Sequence, residues 1–209
     1  LEIGLKSLCF SGPGAALKRT SVTQPAVFTH SLAVLGMLEG KGIRPDIVSG
    51  HSVGEIGALV AAGVISLEDG LRVVGIRGKA MQAAGEGRPG KMAAVFGLSE
   101  KKIDELCESV CDAGVVSPAN YNCPGQVVLS GDRAGIDRIL EEAPARGAKR
   151  CIELPVGGAF HSALMEPAVE PLSSVLETIA FSPARLETLP RSTAAPARRS
   201  RTSSPQVWP

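Results

Sequence analysis

A serine between two glycines is the residue of this sequence best suited to nucleophilic chemistry. Residues 50–54 read Gly-His-Ser-Val-Gly and match the pattern G-x-S-x-G. Small flanking residues in that pattern allow a sharp strand-to-helix turn, which holds the serine hydroxyl clear of neighbouring side chains. The start of the following helix offers backbone N–H groups to a developing oxyanion. We therefore predict that Ser52 is a nucleophile, with a structural turn serine as the alternative.

A serine nucleophile needs a base to take its proton, and the sequence has three histidines. His30 lies in an apolar stretch and is expected to be a core or surface residue. His51 is adjacent to Ser52, so its side chain should point elsewhere. His161 ends the glycine-rich segment 157–161, which could fold over the site. We predict that His161 is the base, with a structural loop histidine as the alternative.

An arginine on an apolar helix face is the third candidate. At about 100° per residue, Arg77 falls on the same arc as Val74 and Met81, opposite the polar side of the helix. A guanidinium in that position needs an anionic partner or a route to solvent. It could form an internal salt bridge or extend to the surface. Alternatively, it could hold a substrate carboxylate through two parallel hydrogen bonds near the activated serine.

Composition narrows the class of protein. Of the 209 residues, 44% are hydrophobic, which suits one globular domain. The formal net charge of +1 provides no overall positive potential to attract nucleic acid or a membrane. No apolar run approaches the roughly 20 residues that cross a bilayer. The five cysteines lack the C-x-x-C spacing of a zinc site, so we predict buried, reduced thiols in a cytoplasmic protein and no metal.

Several elements must position these residues. We predict a helix over 26–38 with Pro25 in its first turn and a polar cap before it. A β-prone run over 46–49 leads directly into the glycine-rich turn, and an apolar helix follows it. Ser66 is expected to cap the next helix, which runs to about residue 84 and carries Arg77.

The segment 91–156 has a different pattern, with strands and helices in the order βαββαβ, typical of a small ferredoxin-like subdomain. A helix interrupted by Pro167 and Pro171 is predicted over 164–179. After about residue 182 the composition shifts to Pro, Arg, Ser and Thr, so we predict that 183–209 is irregular or disordered.

The motifs resemble those of a known family. GHSVGE (50–55), IRGKAM (76–81), ANYNCPGQVVLSG (119–131) and GAFHSALM (158–165) occur in the order and approximate spacing of the malonyl-CoA:acyl carrier protein transacylases. The resemblance extends over about residues 5–182 and implies an α/β fold. This fold is an α/β-hydrolase-like acyltransferase core, 1–88 and 157–182, with an inserted ferredoxin-like (βαββαβ) subdomain at 89–156 and a tail at 183–209.

The resemblance also implies roles for single residues. Ser52 would be the acylated nucleophile, His161 its base and Arg77 the clamp for the malonyl carboxylate. The Val53 amide would supply one oxyanion donor. Phe160, directly before the histidine, would limit space beside the acyl α-carbon and favour malonyl over methylmalonyl groups. Three further residues are expected in or near the substrate site: Asn120, Asn122 and Met81.

The implied activity is transfer of a malonyl group from malonyl-CoA to the phosphopantetheine thiol of acyl carrier protein, through a malonyl-serine, in fatty-acid biosynthesis. No metal or resident cofactor is expected. The expected partners are malonyl-CoA and acyl carrier protein, without nucleic acid or membrane, and a monomer is expected.

Two departures from the family pattern leave other functions open. The family's GQGSQ-type strand and its oxyanion-hole glutamine are expected to be missing before Leu1, and the Arg/Pro/Ser-rich tail replaces a strand, a helix and a glutamine-bearing segment. The alternatives are an inactive fragment that only binds CoA or acyl carrier protein, an acyltransferase domain of a polyketide synthase, and a serine hydrolase.

Overall fold

The computed structural model describes residues 4–189, and these residues form two compact units. The first unit comprises 4–82 and 170–189, and the second comprises 83–169. Each unit has its own cluster of buried apolar side chains.

The described chain contains both helices and strands. The α-helices are α1 (Leu5–Ser11), α2 (Gly14–Leu17), α3 (Thr20–Glu39), α4 (Gly54–Ala61), α5 (Leu67–Gly87), α6 (Glu100–Ser109), α7 (Arg133–Glu142) and α8 (Val169–Leu176). The strands are β1 (Ile47–Ser49), β2 (Gly90–Phe96), β3 (Val116–Cys123), β4 (Gln126–Asp132), β5 (Arg150–Glu153) and β6 (Glu187–Leu189). Short 3-10 helices cover Cys111–Ala113 and Ala163–Ala168.

In the first unit, β1 pairs in parallel with β6, with Ile47 opposite Glu187 and Ser49 opposite Leu189. The chain leaves β1 directly into the turn that carries the candidate nucleophile. The sequence predicts an irregular chain after residue 182, and for 187–189 this prediction is wrong. A three-residue strand embedded in a Pro- and Arg-rich stretch has too little hydrophobic pattern to be detected. Residues 190–209 lie outside the described part of the chain.

Helices α5 and α8 build the core of the first unit. The central side chains of this core are Ile65, Val73, Leu172, Val175 and Ile179. Helix α5 begins as predicted, because the Ser66 hydroxyl accepts a hydrogen bond from the Asp69 amide at 3.0 Å. The 164–179 helix is interrupted as predicted, since a 3-10 helix containing Pro167 precedes α8.

Helix α3 differs from the prediction in where it begins. The sequence places Pro25 in the first turn, whereas α3 begins at Thr20 and contains Pro25. A proline inside a helix removes one backbone hydrogen bond, but Pro25 is fully buried and its packing offsets that loss. As a result Gln24, expected in the cap, is a helical residue with a buried side chain.

The second unit is a four-stranded antiparallel sheet in the order β3-β4-β2-β5. Along the chain its elements run β2-α6-β3-β4-α7-β5, which confirms the predicted βαββαβ order. One face of the sheet packs on the helices through a core that includes Ala93, Leu129 and Ile136. The other face carries Met92, Ala94 and Val128, against which Phe160 packs.

Two expectations from composition can be compared with the structure. All five cysteines are free, but Cys9, Cys111 and Cys123 are exposed, so the prediction of buried thiols is wrong for these three. Composition counts cysteines but carries no information on where each one lies in the fold. Within residues 4–189, the structure has no helix with the length and apolar character needed to cross a membrane.

Candidate active site

Ser52 lies in the tight turn between β1 and α4, as the sequence predicts. Its φ is +54°, a left-handed conformation that is strained for a residue other than glycine. Gly50 makes the turn possible, because an added Cβ would lie 2.1 Å from the carbonyl carbon and oxygen of Gly54. Strand and helix therefore meet in backbone contact at Gly50, and Ser52 is presented at the crossing.

Val53 immediately precedes α4 and serves as its N-cap residue. The hydrogen bonds that close the turn use the next two amides: Gly54 donates to the His51 carbonyl at 2.9 Å, and Glu55 donates to the Ser52 carbonyl at 3.1 Å. The role of the Val53 amide as an oxyanion donor stays a prediction.

Arg77 donates a hydrogen bond to Ser52, the predicted nucleophile. Its Nη2 lies 3.1 Å from Ser52 Oγ, and its Nη1 donates to Gln24 Oε1 at 2.7 Å. Arg77 is only 9% exposed, which confirms its predicted place on the buried arc of α5. Burial lowers the pKa of the guanidinium from its ordinary value, and the negative charge of Glu55 partly opposes this effect.

The contact partners of Arg77 are neutral. Within the described range 4–189 it forms no ion pair, so the internal salt bridge that the sequence left open is not what this structure shows. A buried cation without a contacting anion is costly to maintain. It is also ready to bind a carboxylate that arrives beside Ser52.

Gln24 is a site residue that the sequence reasoning missed. Its side chain is 6% exposed, and its Nε2 donates to Met81 Sδ at 3.2 Å while its Oε1 accepts from Arg77. The first unit thus brings together Ser52, Arg77 and Met81, the last of which was predicted to bind substrate. A polar residue directly before a proline is typical of a helix cap, which hid the buried role of Gln24.

His161 lies in a tightly held loop of the second unit. Like Ser52, it has a left-handed backbone, with φ +60°. Next to it, the Ser162 hydroxyl donates to the Ala159 carbonyl at 2.7 Å. Ala159 is fully buried and packs so closely on the sheet that a Cβ at Gly90 would lie 2.5 Å from its own Cβ. These contacts fix the backbone on both sides of the histidine.

The structure places Asn120 and Phe160 on the same face of the second unit's sheet. Asn120 pairs with Val128, and directly opposed residues of an antiparallel pair project to the same side. That side is the one on which Phe160 packs. Asn122 is left out of the pairing at a register shift between Tyr121 and Cys123, so its position is set by an irregular backbone.

The other two histidines, His30 and His51, are exposed, and the choice of His161 as the base stays a prediction. In the part of the chain that the structure describes, no three His, Cys, Asp or Glu side chains lie close enough to hold a metal ion.

Comparison with known proteins identifies the family of this chain. The family model described as "Acyl transferase domain" matches residues 2–209. A malonyl CoA-acyl carrier protein transacylase of Staphylococcus aureus is 42% identical over 186 residues, which are 88% of this chain and 60% of that protein. The chain therefore spans about three fifths of the length of the curated relatives it matches.

Solved structures show the same similarity. The malonyl-CoA:acyl carrier protein transacylase of Xanthomonas oryzae pv. oryzae superposes with a TM-score of 0.84 at 38% identity, covering 89% of this chain and 60% of the other. A malonyl-transacylase solved in complex with a type II polyketide acyl-carrier protein has a TM-score of 0.82 at 40% identity, with coverage of 88% and 60%. These similarities confirm the predicted acyltransferase-type α/β fold.

Proposed function

Because this chain belongs to the acyl transferase domain family, we propose that it moves a malonyl group from malonyl-CoA to the phosphopantetheine thiol of an acyl carrier protein, through a malonyl ester of Ser52. One observation carries the proposal: Arg77, buried and held by neutral partners, lies 3.1 Å from the Ser52 hydroxyl. A fixed cation at that distance favours an acyl group that ends in a carboxylate.

The transfer takes place in two half-reactions. His161 takes the proton of Ser52 as the hydroxyl attacks the thioester carbonyl, a tetrahedral oxyanion forms, and the C–S bond breaks to release CoA with the returned proton. The carrier thiol then loses its proton to His161 and attacks the serine ester, which restores the Ser52 hydroxyl. The Val53 amide stabilises the oxyanion in both steps.

Acyl selection follows from two side chains with different properties. Arg77 contributes charge and planar donors, which bind the malonyl carboxylate at two points. Phe160 contributes bulk beside the α-carbon and disfavours a methylmalonyl group. The expected steric discrimination is modest, since the misfit of one methyl group changes a rate by about 10–200-fold.

Neither half-reaction requires a resident cofactor, because a nucleophile, a base and oxyanion donors suffice for thioester exchange. CoA enters as part of the substrate, and phosphopantetheine arrives on the partner. The related malonyl-transacylase solved with a polyketide carrier protein supports a carrier protein as the acceptor. Asn120, on the same sheet face as Phe160, is proposed to help line the acyl site.

The decisive experiment is intact mass spectrometry after brief incubation with malonyl-CoA, with Ser52→Ala as the control. The expected result is a malonyl adduct on the parent and none on Ser52→Ala. Addition of holo acyl carrier protein should remove this adduct, and the carrier should gain the mass of one malonyl group. An adduct that water removes as fast as the carrier does would indicate a hydrolase. No adduct from protein shown to be folded would indicate a chain that only binds CoA or carrier protein.

A further inference from the structure

Gln24 is the only side chain besides Ser52 with which the guanidinium of Arg77 forms a hydrogen bond in the described part of the chain. Since a guanidinium has donors and no acceptor, the Gln24 amide must turn its oxygen toward Arg77. Its NH₂ group then faces away, where it donates to the Met81 sulfur at 3.2 Å. The amide is thus held from both ends.

The two helices that carry these residues approach unusually closely. At Gly78, one residue after Arg77, an added Cβ would lie 2.9 Å from the Thr20 carbonyl oxygen and 3.2 Å from Ser21 Cα. One turn along, Ser21 donates from its amide and its hydroxyl to Gln82 Oε1, at 3.1 and 2.7 Å. Gln24 therefore reaches Arg77 from a rigid helix and not from a loop.

We infer that Gln24 is a positioning residue, which fixes the Arg77 guanidinium so that its Nη2 faces the nucleophile and the incoming carboxylate. Arginine has several rotatable bonds, and ordering such a side chain on binding has an entropic cost. Gln24 removes that cost before substrate arrives, and as an uncharged acceptor it does so without neutralising the cation. The inference rests on the proposed function, in which Arg77 binds the substrate carboxylate.

Two substitutions separate the position of Arg77 from its charge. Gln24→Met keeps the length of the side chain but has no oxygen acceptor, so the guanidinium becomes mobile. Gln24→Glu keeps an acceptor in place, but the introduced carboxylate competes with the substrate for the cation. Ser21→Ala is the matched control, because it removes a hydrogen bond from the same helix contact one turn away from Arg77.

Rates of Ser52 acylation by malonyl-CoA and acetyl-CoA provide the first measurement. Both Gln24 variants are expected to lower the malonyl-to-acetyl rate ratio about 10–100-fold, mainly through a higher KM for malonyl-CoA, whereas Ser21→Ala leaves the ratio unchanged. A Gln24→Met protein that keeps the parental ratio would overturn the inference. If Gln24→Met does not fold, Met81→Leu replaces it, since this substitution leaves the Gln24 amide NH₂ without its sulfur acceptor. An unchanged malonyl-to-acetyl rate ratio in Met81→Leu would then overturn the inference.

Nuclear magnetic resonance of the arginine side chains, without substrate, provides a readout independent of turnover. Slow rotation about the Arg77 Cζ–Nη1 bond is expected in the parent and in Gln24→Glu, and fast rotation in Gln24→Met. If the parent forms no malonyl adduct, the proposed function fails, while the rotation rates still decide whether Gln24 holds Arg77. Equal rotation rates in all variants would refute the positioning role.

Discussion

Arg77 Nη2 donates to Ser52 Oγ at 3.1 Å, so the side chain proposed to bind the acyl carboxylate also contacts the proposed nucleophile. The same cation can therefore orient the free hydroxyl and, once an acyl group arrives, bind its distal carboxylate. A substrate without that carboxylate leaves the Arg77–Ser52 contact in place. Under the proposed function, acyl selection and orientation of the Ser52 hydroxyl are coupled through one guanidinium.

Arg77→Ala is expected to slow Ser52 acylation by malonyl-CoA about 10–150-fold more than acylation by acetyl-CoA, since it removes charge-assisted hydrogen bonds worth about 1.5–3 kcal/mol. Arg77→Lys keeps the charge but offers a single point of contact, so it should restore only part of the malonyl rate. The acylation rates of both variants are measured by following adduct formation with intact mass spectrometry. Equal losses for the two acyl groups would argue against the carboxylate clamp.

The two glycines of the serine motif are expected to tolerate alanine very differently. At Gly50 an added Cβ would overlap the Gly54 carbonyl and the Glu55 amide, whereas at Gly54 it would meet no atom within 4 Å. Gly50→Ala should therefore destabilise the protein by at least about 3 kcal/mol, and Gly54→Ala by less than about 1 kcal/mol. Urea denaturation of the two variants compares their free energies of unfolding. Similar losses at both positions would show that the contact at Gly50 is not what shapes the turn.

Asp132 gives a stability prediction that depends on pH. Partial burial acts to raise the pKa of this carboxyl, but hydrogen bonds from the Val115 amide at 2.8 Å and from Arg88 outweigh burial and hold the pKa below its ordinary value. A lowered folded-state pKa adds stability above the unfolded-state pKa, and this stability is lost as the pH falls through the folded value.

Asp132→Asn is therefore expected to destabilise the protein by about 1–2 kcal/mol at pH 7, and by progressively less as the pH falls below about 4. Urea midpoints between pH 7 and pH 3.5 test this. Lys101→Ala is a suitable control, since its exposed pair with Glu105 at 3.9 Å should contribute almost nothing at any pH. A difference between parent and Asp132→Asn that does not change with pH would contradict the assignment.

Cysteine reactivity should follow burial. Burial, reinforced by the negative charges of Asp104 and Glu108, raises the pKa of the Cys107 thiol to about 12. At pH 8 only about one Cys107 in ten thousand would be thiolate, so its alkylation by iodoacetamide should lag far behind that of the exposed cysteines. Peptide mapping after timed alkylation measures the order in which the cysteines are modified. Rapid modification of Cys107 in the folded protein, without urea, would contradict this prediction.

Sequence patterns predict the parts of the site that local chemistry dictates. The motif around Ser52 carries its own turn geometry, and helical periodicity alone places Arg77 among apolar neighbours. Gln24 could not be found in this way, because its role depends on the meeting of α3 and α5 at Gly78. The strand at 187–189 was missed for a similar reason, since it is stabilised by pairing with β1 and not by its own composition. Contacts between distant segments have no local signal.

The pairing of β1 with β6 also sets an order of events during synthesis of the chain. Residues 47–49 are translated before the second unit, whereas their only strand partner in the described structure, at 187–189, is translated after it. Such a non-local contact forms late and is costly in chain entropy. Among the described residues, the pairing that supports the strand leading into the Ser52 turn can therefore form only after the whole second unit has been translated.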